Sequence, residues 1–142
     1  MNRDAVWHAI DEQRLGLVEL LDGLSESDWM ISCLCARWTV KDVAAHVALQ
    51  NSSWWSLPRM SLDLVRAGGL NGAIHRAARR HAQRSSNLDI ITQIRDRIGV
   101  WHALPTLTYQ DTAVDYLVHS QDISLVGELA RWYVLVVGPE AV

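Results

Sequence analysis

The chain has 142 residues, of which 49% are hydrophobic and 20% charged, and its formal net charge is −3 at pH 7. This length suits one domain with a sizeable core, so we expect a single folding unit over residues 1–142. The acidic balance disfavours nucleic-acid binding, and no apolar stretch is long enough for a signal peptide or a membrane span. These features predict a cytoplasmic protein.

Apolar residues recur at helical spacing from about Asn2 to Leu24 and predict a first amphipathic helix. The residues on its apolar face are Val6, Ile10, Leu17, Leu20, Leu21 and Leu24. Gly23 marks its end, and the Ser, Glu and Asp cluster at 25–28 predicts a loop.

Two later helices begin with the same T-x-x-D pattern, in which Thr and Asp side chains satisfy free backbone N–H groups. One begins at Thr39 and is predicted to extend to about Trp55. The other begins at Thr108 and is predicted to extend to about Ile123. Its expected packing side consists of Val114, Leu117 and Val118.

Shorter elements are predicted between and after these helices. They are a short helix from Pro58 to Gly68-Gly69, a basic segment from Asn71 to Arg84, and a helix from Asn87 to about Ile98 with Leu88, Ile91, Ile94 and Ile98 on one face. Gly127 is expected to interrupt the last helix, which leaves 128–142 as a short extra helix or an extended tail. No segment alternates as a strand does, so we expect an all-α bundle of four main helices with short extra helices.

The two capped helices carry candidate metal ligands at the same offset. His46 lies seven residues after Thr39, and Asp115 lies seven after Thr108, with His119 four further on. Side chains at i and i+4 share one helical face, and a facing helix can bring the third ligand. Two imidazoles and one carboxylate suit Zn²⁺, and also Fe²⁺ or Ni²⁺. Spacing alone equally fits solvated helix faces with an ordinary Asp/His pair.

Three segments carry a family resemblance: Ser27 to Trp29 (SDW), Cys35 to His46 (CARWTVKDVAAH) and Asp115 to Ile123 (DYLVHSQDI). The first two resemble the W…C-x-G-W-T-V-x-D-V-x-A-H-L signature of the DinB-like, mycothiol-dependent maleylpyruvate isomerase family. The third resembles the same family's E-x-x-x-H-x-x-D-I motif. The chain departs from these motifs by having Arg37 where Gly is common and Asp115 where Glu is more usual.

The resemblance implies a DinB-like four-helix bundle that binds a divalent metal through His46, Asp115 and His119, zinc being the first expectation and nickel or iron the others. It makes Asp42 and Asp122 candidates for orienting an imidazole from behind, although Asp42 also suits a simple helix cap.

The expected function is a metal-dependent thiol enzyme. By resemblance the thiol is mycothiol, the nucleophile in S-transfer to, or isomerisation of, a small electrophile. The named isomerases continue into a further C-terminal domain that helps form the substrate site, and this sequence ends at Val142. We therefore favour a transferase or an unassigned thiol-dependent reaction. The alternative is a non-enzymatic metal-binding bundle with a structural, sensing or homodimeric interaction role.

Other side chains have two interpretations each. Arg76 and Arg80 belong to a positive stripe that could bind the carboxylates of a thiol cofactor or substrate, or simply be solvated. Cys33 and Cys35 are interpreted as small buried hydrophobic residues. The tryptophans are expected in the core, except for a pair that could line a pocket mouth or a dimer interface. The core candidates are Trp7, Trp29, Trp38 and Trp101, and the pair is Trp54 and Trp55.

Overall fold

The structure, a computed structural model, describes residues 2–35, 37–50, 68–103 and 108–137, with the backbone alone for 129–137. These residues form five α-helices and one 3-10 turn at Asp28–Met30. In chain order the helices are α1 Arg3–Asp22, α2 Val40–Leu49, α3 Leu70–Arg84, α4 Asn87–Arg95 and α5 Tyr109–Val137. The described part has no β-strand, only one antiparallel bridge between Ser32 and Thr39. The prediction of an all-α fold is confirmed.

The core is built from the apolar faces of α1, α2, α4 and α5. Helix α1 packs along α5, and α2 packs along α3 and α4. Most of the face predicted for α1 is buried, and Trp7 and Trp29 join the same core, as predicted. Trp38 packs against this core while partly buried, and the prediction for Trp101 was wrong because its ring is exposed, with Nε1 donating to Asp11. Burying a large apolar side chain contributes roughly 1.5–3 kcal/mol, so these contacts hold α2 and α5 firmly in place. Those are the two helices that carry the candidate ligands.

Helix α5 packs by a different face from the predicted one. Val114, Leu117 and Val118 are 60%, 50% and 52% exposed. The residues buried on α5 up to residue 128 are Thr112, Tyr116, Ser120, Asp122, Ile123, Val126 and Gly127. The prediction was wrong because it counted only apolar residues. The large Tyr116 ring and the polar residues of the candidate site occupy the inner side of the helix.

Gly127 does not interrupt α5, which continues through it to Val137. A glycine inside a helix costs only about 1 kcal/mol relative to alanine. A Cβ added at Gly127 would lie 3.9 Å from the Leu24 side chain, so a neighbouring segment covers the helix here. Over 128–137 the backbone continues α5, so these residues form neither the separate short helix nor the extended tail that the sequence suggested.

Helix α4 ends at Arg95, earlier than predicted, and Leu88 is exposed while Ile90, Ile91 and Ile94 are buried. The cause is Arg14, which is fully buried on α1. Its Nη1 donates to the carbonyls of Arg97 at 2.6 Å and Val100 at 3.2 Å, so the chain turns over the guanidinium instead of extending the helix. Gly99, with φ of 80°, completes this turn in the left-handed region that favours glycine.

Helix α2 ends at Leu49 with Gln50 as its C-cap, earlier than the predicted end near Trp55. Other predictions lie outside the described residues, namely those for the pair Trp54 and Trp55, most of the helix from Pro58, and residues 138–142. In the described part, no helix combines the length and the apolar character needed to cross a membrane.

Candidate metal centre

His46 lies on α2, whose start is fixed by a capping box. The Asp42 backbone N–H donates to Thr39 Oγ1 at 3.2 Å, and Asp42 Oδ2 accepts from the Thr39 backbone N–H and hydroxyl, each at 3.0 Å. This arrangement satisfies N–H groups that the first helical turn leaves free. The structure thus shows Asp42 as a helix cap. Its expected second role, orienting an imidazole, stays a prediction.

Asp115 and His119 lie on α5, which begins with the second T-x-x-D pattern. Thr108 donates its backbone N–H and its hydroxyl to Asp111 Oδ2, each at 2.8 Å, and Thr108 Oγ1 accepts from the Asp111 N–H at 3.2 Å. The cap sets where the helix begins, and so sets the side of α5 on which Asp115 and His119 point towards α2.

The structure brings His46, Asp115 and His119 together. Ligand atoms of the three side chains lie within 4.8 Å of one another. His46 Nε2 is 3.4 Å from Asp115 Oδ2, and His119 Nε2 is 3.4 Å from Asp115 Oδ1. The two imidazole centroids are 5.0 Å apart, with the rings nearly perpendicular at 80°. That separation is inside the limit of about 6 Å set by metal–nitrogen bonds of about 2 Å.

These distances fit a cation between the side chains better than direct hydrogen bonds. A charge-assisted N–H···O bond is about 2.7–2.9 Å long, whereas ligands at about 2.0–2.1 Å around a tetrahedral Zn²⁺ are roughly 3.3–3.4 Å apart. Asp115 Oδ2 is also buried, and none of the residues that the structure describes donates a hydrogen bond to it. A buried carboxylate oxygen with no donor is costly unless a cation satisfies it. The donor set therefore fits a divalent metal.

The electrostatics keep Asp115 ionised. Burial raises the pKa of its carboxyl, but the imidazoles of His119 and His46 outweigh burial and hold that pKa well below its ordinary range. A permanently charged carboxylate between two imidazoles is the form that binds a cation.

Trp38 and α3 border this centre. The centroid of the Trp38 ring is 5.5 Å from that of the His46 ring and 5.1 Å from that of the His75 ring, and both contacts are edge-on. His75 Nε2 lies 3.2 Å from the carbonyl oxygen of Arg37. Sequence reasoning missed the contact between His75 and Trp38, since no spacing rule links α3 to Trp38. Arg76 and Arg80 are on the same helix, exposed and partly buried respectively, and each already interacts within the protein.

The loop between the 3-10 turn and α2, described over residues 31–35 and 37–39, lies against α5 beside the centre. Cys33 N–H donates to the Trp38 carbonyl at 2.8 Å, and Leu34 N–H donates to Asp122 Oδ1 at 2.9 Å. Asp122 thus holds this loop. Cys35, in the same loop, comes within 4.8 Å of ligand atoms of His119 and Asp122.

The sequence predicted that Cys33 and Cys35 are buried, but the structure buries neither of them fully. Both are free thiols and only partly buried. Burial raises the pKa of Cys33 to about 12, and burial together with Asp122 raises the pKa of Cys35. Sequence reasoning missed the position of Cys35 because the contact depends on how the loop docks on α5.

Residues 7–124 match the sequence profile of a family described as the mycothiol maleylpyruvate isomerase N-terminal domain. The chain belongs to this family. No curated protein and no solved structure gives a significant match. The matched range contains all three candidate ligands, and the all-α architecture agrees with the DinB-like bundle expected for a mycothiol maleylpyruvate isomerase N-terminal domain. The structure also explains why the family signature commonly has Gly where this chain has Arg37. Arg37 has φ of 72°, a left-handed conformation that glycine adopts more easily.

Proposed function

We propose that the protein is a divalent-metal-dependent thiol enzyme in which His46, Asp115 and His119 hold the cation. The observation that carries this proposal is the Asp115 carboxylate, whose two oxygens each lie 3.4 Å from the Nε2 of a different imidazole. Two nitrogens and one oxygen suit Zn²⁺ first, and Ni²⁺ or Fe²⁺ next. Three protein ligands leave coordination positions for solvent or a thiol.

When bound, the cation would supply the positive charge that stabilises the thiolate of a low-molecular-weight thiol, mycothiol by family membership. The protein's own contribution is positional. Asp115 places one oxygen 3.4 Å from the Nε2 of each imidazole. The Trp38 ring covers one edge of His46. The thiol would act as nucleophile towards a small electrophile, in S-transfer or in thiol-assisted isomerisation.

We place the electrophile on the α3 side of the centre. His75 brings α3 into contact with Trp38, and Arg76 follows it directly, with Arg80 one turn further along. Guanidinium groups bind carboxylates well, so this side suits an acidic electrophile. Arg76 and Arg80 are accordingly the proposed binding residues.

A thiol titration tests the proposal. Cys35→Ser protein, which lacks the nearby thiol, is loaded with Co²⁺ and titrated with mycothiol. We expect a near-ultraviolet sulfur-to-cobalt charge-transfer band that saturates. The disulfide form of mycothiol is the matched control and should give no band, because it has no free thiol. An unchanged spectrum at saturating mycothiol would contradict the thiol-enzyme proposal.

One observation favours the alternative, a non-enzymatic metal-binding bundle that forms a homodimer. The exposed residues Val114, Leu117 and Val118 lie on the helix that carries Asp115 and His119, and exposed apolar patches often mark interaction surfaces. A metal-dependent dimer in analytical ultracentrifugation, combined with no spectral response to mycothiol, would support this alternative.

A further inference from the structure

We infer that Cys35, His119 and Asp122 form an alternate cation position beside the proposed centre, selective for thiophilic ions such as Zn²⁺ and Cd²⁺. Ligand atoms of these three residues lie within 4.8 Å of one another. His119 belongs to both ligand sets, so the two positions are neighbours that share one imidazole. The inference shares His119 with the proposed function but needs neither His46 nor Asp115.

Asp122 supplies the strongest evidence. Asp122 is only 5% exposed, and its Oδ1 accepts the Leu34 N–H at 2.9 Å. The other oxygen, Oδ2, is buried and accepts no N–H group or hydroxyl in the described part of the chain, where the Cys35 thiol is the donor next to Asp122. A buried, half-satisfied carboxylate is unfavourable unless a cation or a further donor reaches it.

His119 presents a second unsatisfied atom on the same helix. Its Nδ1 is buried and has no hydrogen-bond partner in the described part of the chain. A metal-binding histidine usually gives its other ring nitrogen to a carboxylate, a carbonyl or water. His119 lacks such a protein partner, and Asp122 lies one turn further along α5, on the same face.

Cys35 completes the set from the loop. The Leu34 N–H bond to Asp122 anchors the loop next to Cys35, so backbone contacts hold the sulfur against α5. Among the described residues, the sulfur does not join His46, Asp115 and His119 within the same 4.8 Å limit, which makes it a ligand of a different position. Binding releases the thiol proton to solvent, and a thiolate with one carboxylate balances a divalent charge. Sulfur selects soft ions over Mg²⁺ or Ca²⁺.

Cobalt titration of the metal-free protein, without added thiol, tests the inference. We expect a sulfur-to-cobalt charge-transfer band in the wild type that Cys35→Ser abolishes. The matched control is Cys33→Ser, in the same loop, which should keep the band. His46→Ala should also keep it, since the alternate position does not use His46. Asp122→Asn should weaken cobalt binding, read from this band, by at least about tenfold.

Three results would overturn the inference: no band in the wild type at saturating cobalt, a band that persists in Cys35→Ser, or a band that His46→Ala abolishes. The last would make Cys35 a ligand of the first position. Circular dichroism checks that each variant is folded, and His46→Gln replaces His46→Ala if needed. The mycothiol titration uses Cys35→Ser protein, so failure there concerns the proposed function alone.

Discussion

Asp115 is the residue on which the candidate centre depends. It is one methylene shorter than the Glu more usual at this position in the family motif, yet its two oxygens reach both imidazoles. One carboxylate thus lies between rings from two helices. Since the shorter side chain still reaches both rings, we expect the charge of the carboxylate to decide cation affinity more than its length does.

Asp115→Asn tests this charge. The substitution keeps the size of the side chain but removes the negative charge, so Zn²⁺ affinity should fall by at least about tenfold. Isothermal titration calorimetry measures this affinity in Cys35→Ser protein, in which the alternate ligand set lacks its thiol. Asp4→Asn, exposed in the first turn of α1, is the control and should leave Zn²⁺ affinity unchanged. Equal affinities for Asp115→Asn and its parent would argue against Asp115 as a ligand.

Arg37 stores conformational strain, because its φ of 72° places a residue with a Cβ in the left-handed region. Arg37→Gly should raise the free energy of unfolding by about 1 kcal/mol, measured by urea denaturation. Arg37→Ala is the matched control: it removes the same charged side chain but keeps the Cβ, and should give no such gain. Equal gains from both variants would assign the effect to charge instead of backbone strain.

At the scale of the element, capping boxes determine where the helices begin. Thr39→Ala removes the hydroxyl that accepts the Asp42 N–H, so the free energy of unfolding should fall by about 1 kcal/mol. Thr92→Ala, on the exposed face of α4, is the control and should change the free energy of unfolding by less than about 0.5 kcal/mol. A loss for Thr39→Ala no larger than for this control would contradict the capping role.

The cap of α4 gives a pH-dependent prediction. The Ser86 hydroxyl and backbone N–H hold the pKa of Asp89 below its ordinary value of 3.8. A depressed folded-state pKa stabilises the protein above the ordinary value, and this stabilisation is lost as the pH falls through the folded-state pKa. The difference in urea midpoint between wild type and Ser86→Ala should therefore be largest near about pH 6 and shrink below about pH 4. Ser85→Ala is the control, and a difference independent of pH would contradict the account.

The starts of the helices could be predicted from the sequence because a cap is a local interaction between residues three apart. Their ends and faces could not. Helix α4 ends where Arg14, from a distant part of the chain, donates hydrogen bonds to the carbonyls of the following turn. Helix α5 continues through Gly127 because packing of the whole bundle outweighs a local propensity of about 1 kcal/mol.

At the scale of the whole molecule, the candidate centre joins α2 to α5, which are far apart in sequence. The sequence identified His46, Asp115 and His119 because each stands in a motif that could be compared with a family. Nothing in it placed Cys35 beside His119, since that contact needs the loop to close and to dock on Asp122. A cation bound only by the folded protein would stabilise the entire bundle, by about 2.7 kcal/mol at a hundredfold excess over its dissociation constant.

The most direct test of the metal centre is elemental analysis of purified Cys35→Ser protein made without an affinity tag. Within the part of the chain that the structure describes, only His46, Asp115 and His119 remain there as a complete candidate ligand set. The account predicts about one divalent ion per chain in this protein and none in Cys35→Ser/His46→Ala, with both folded by circular dichroism. A folded parent without metal, or equal metal contents in the two proteins, would contradict it.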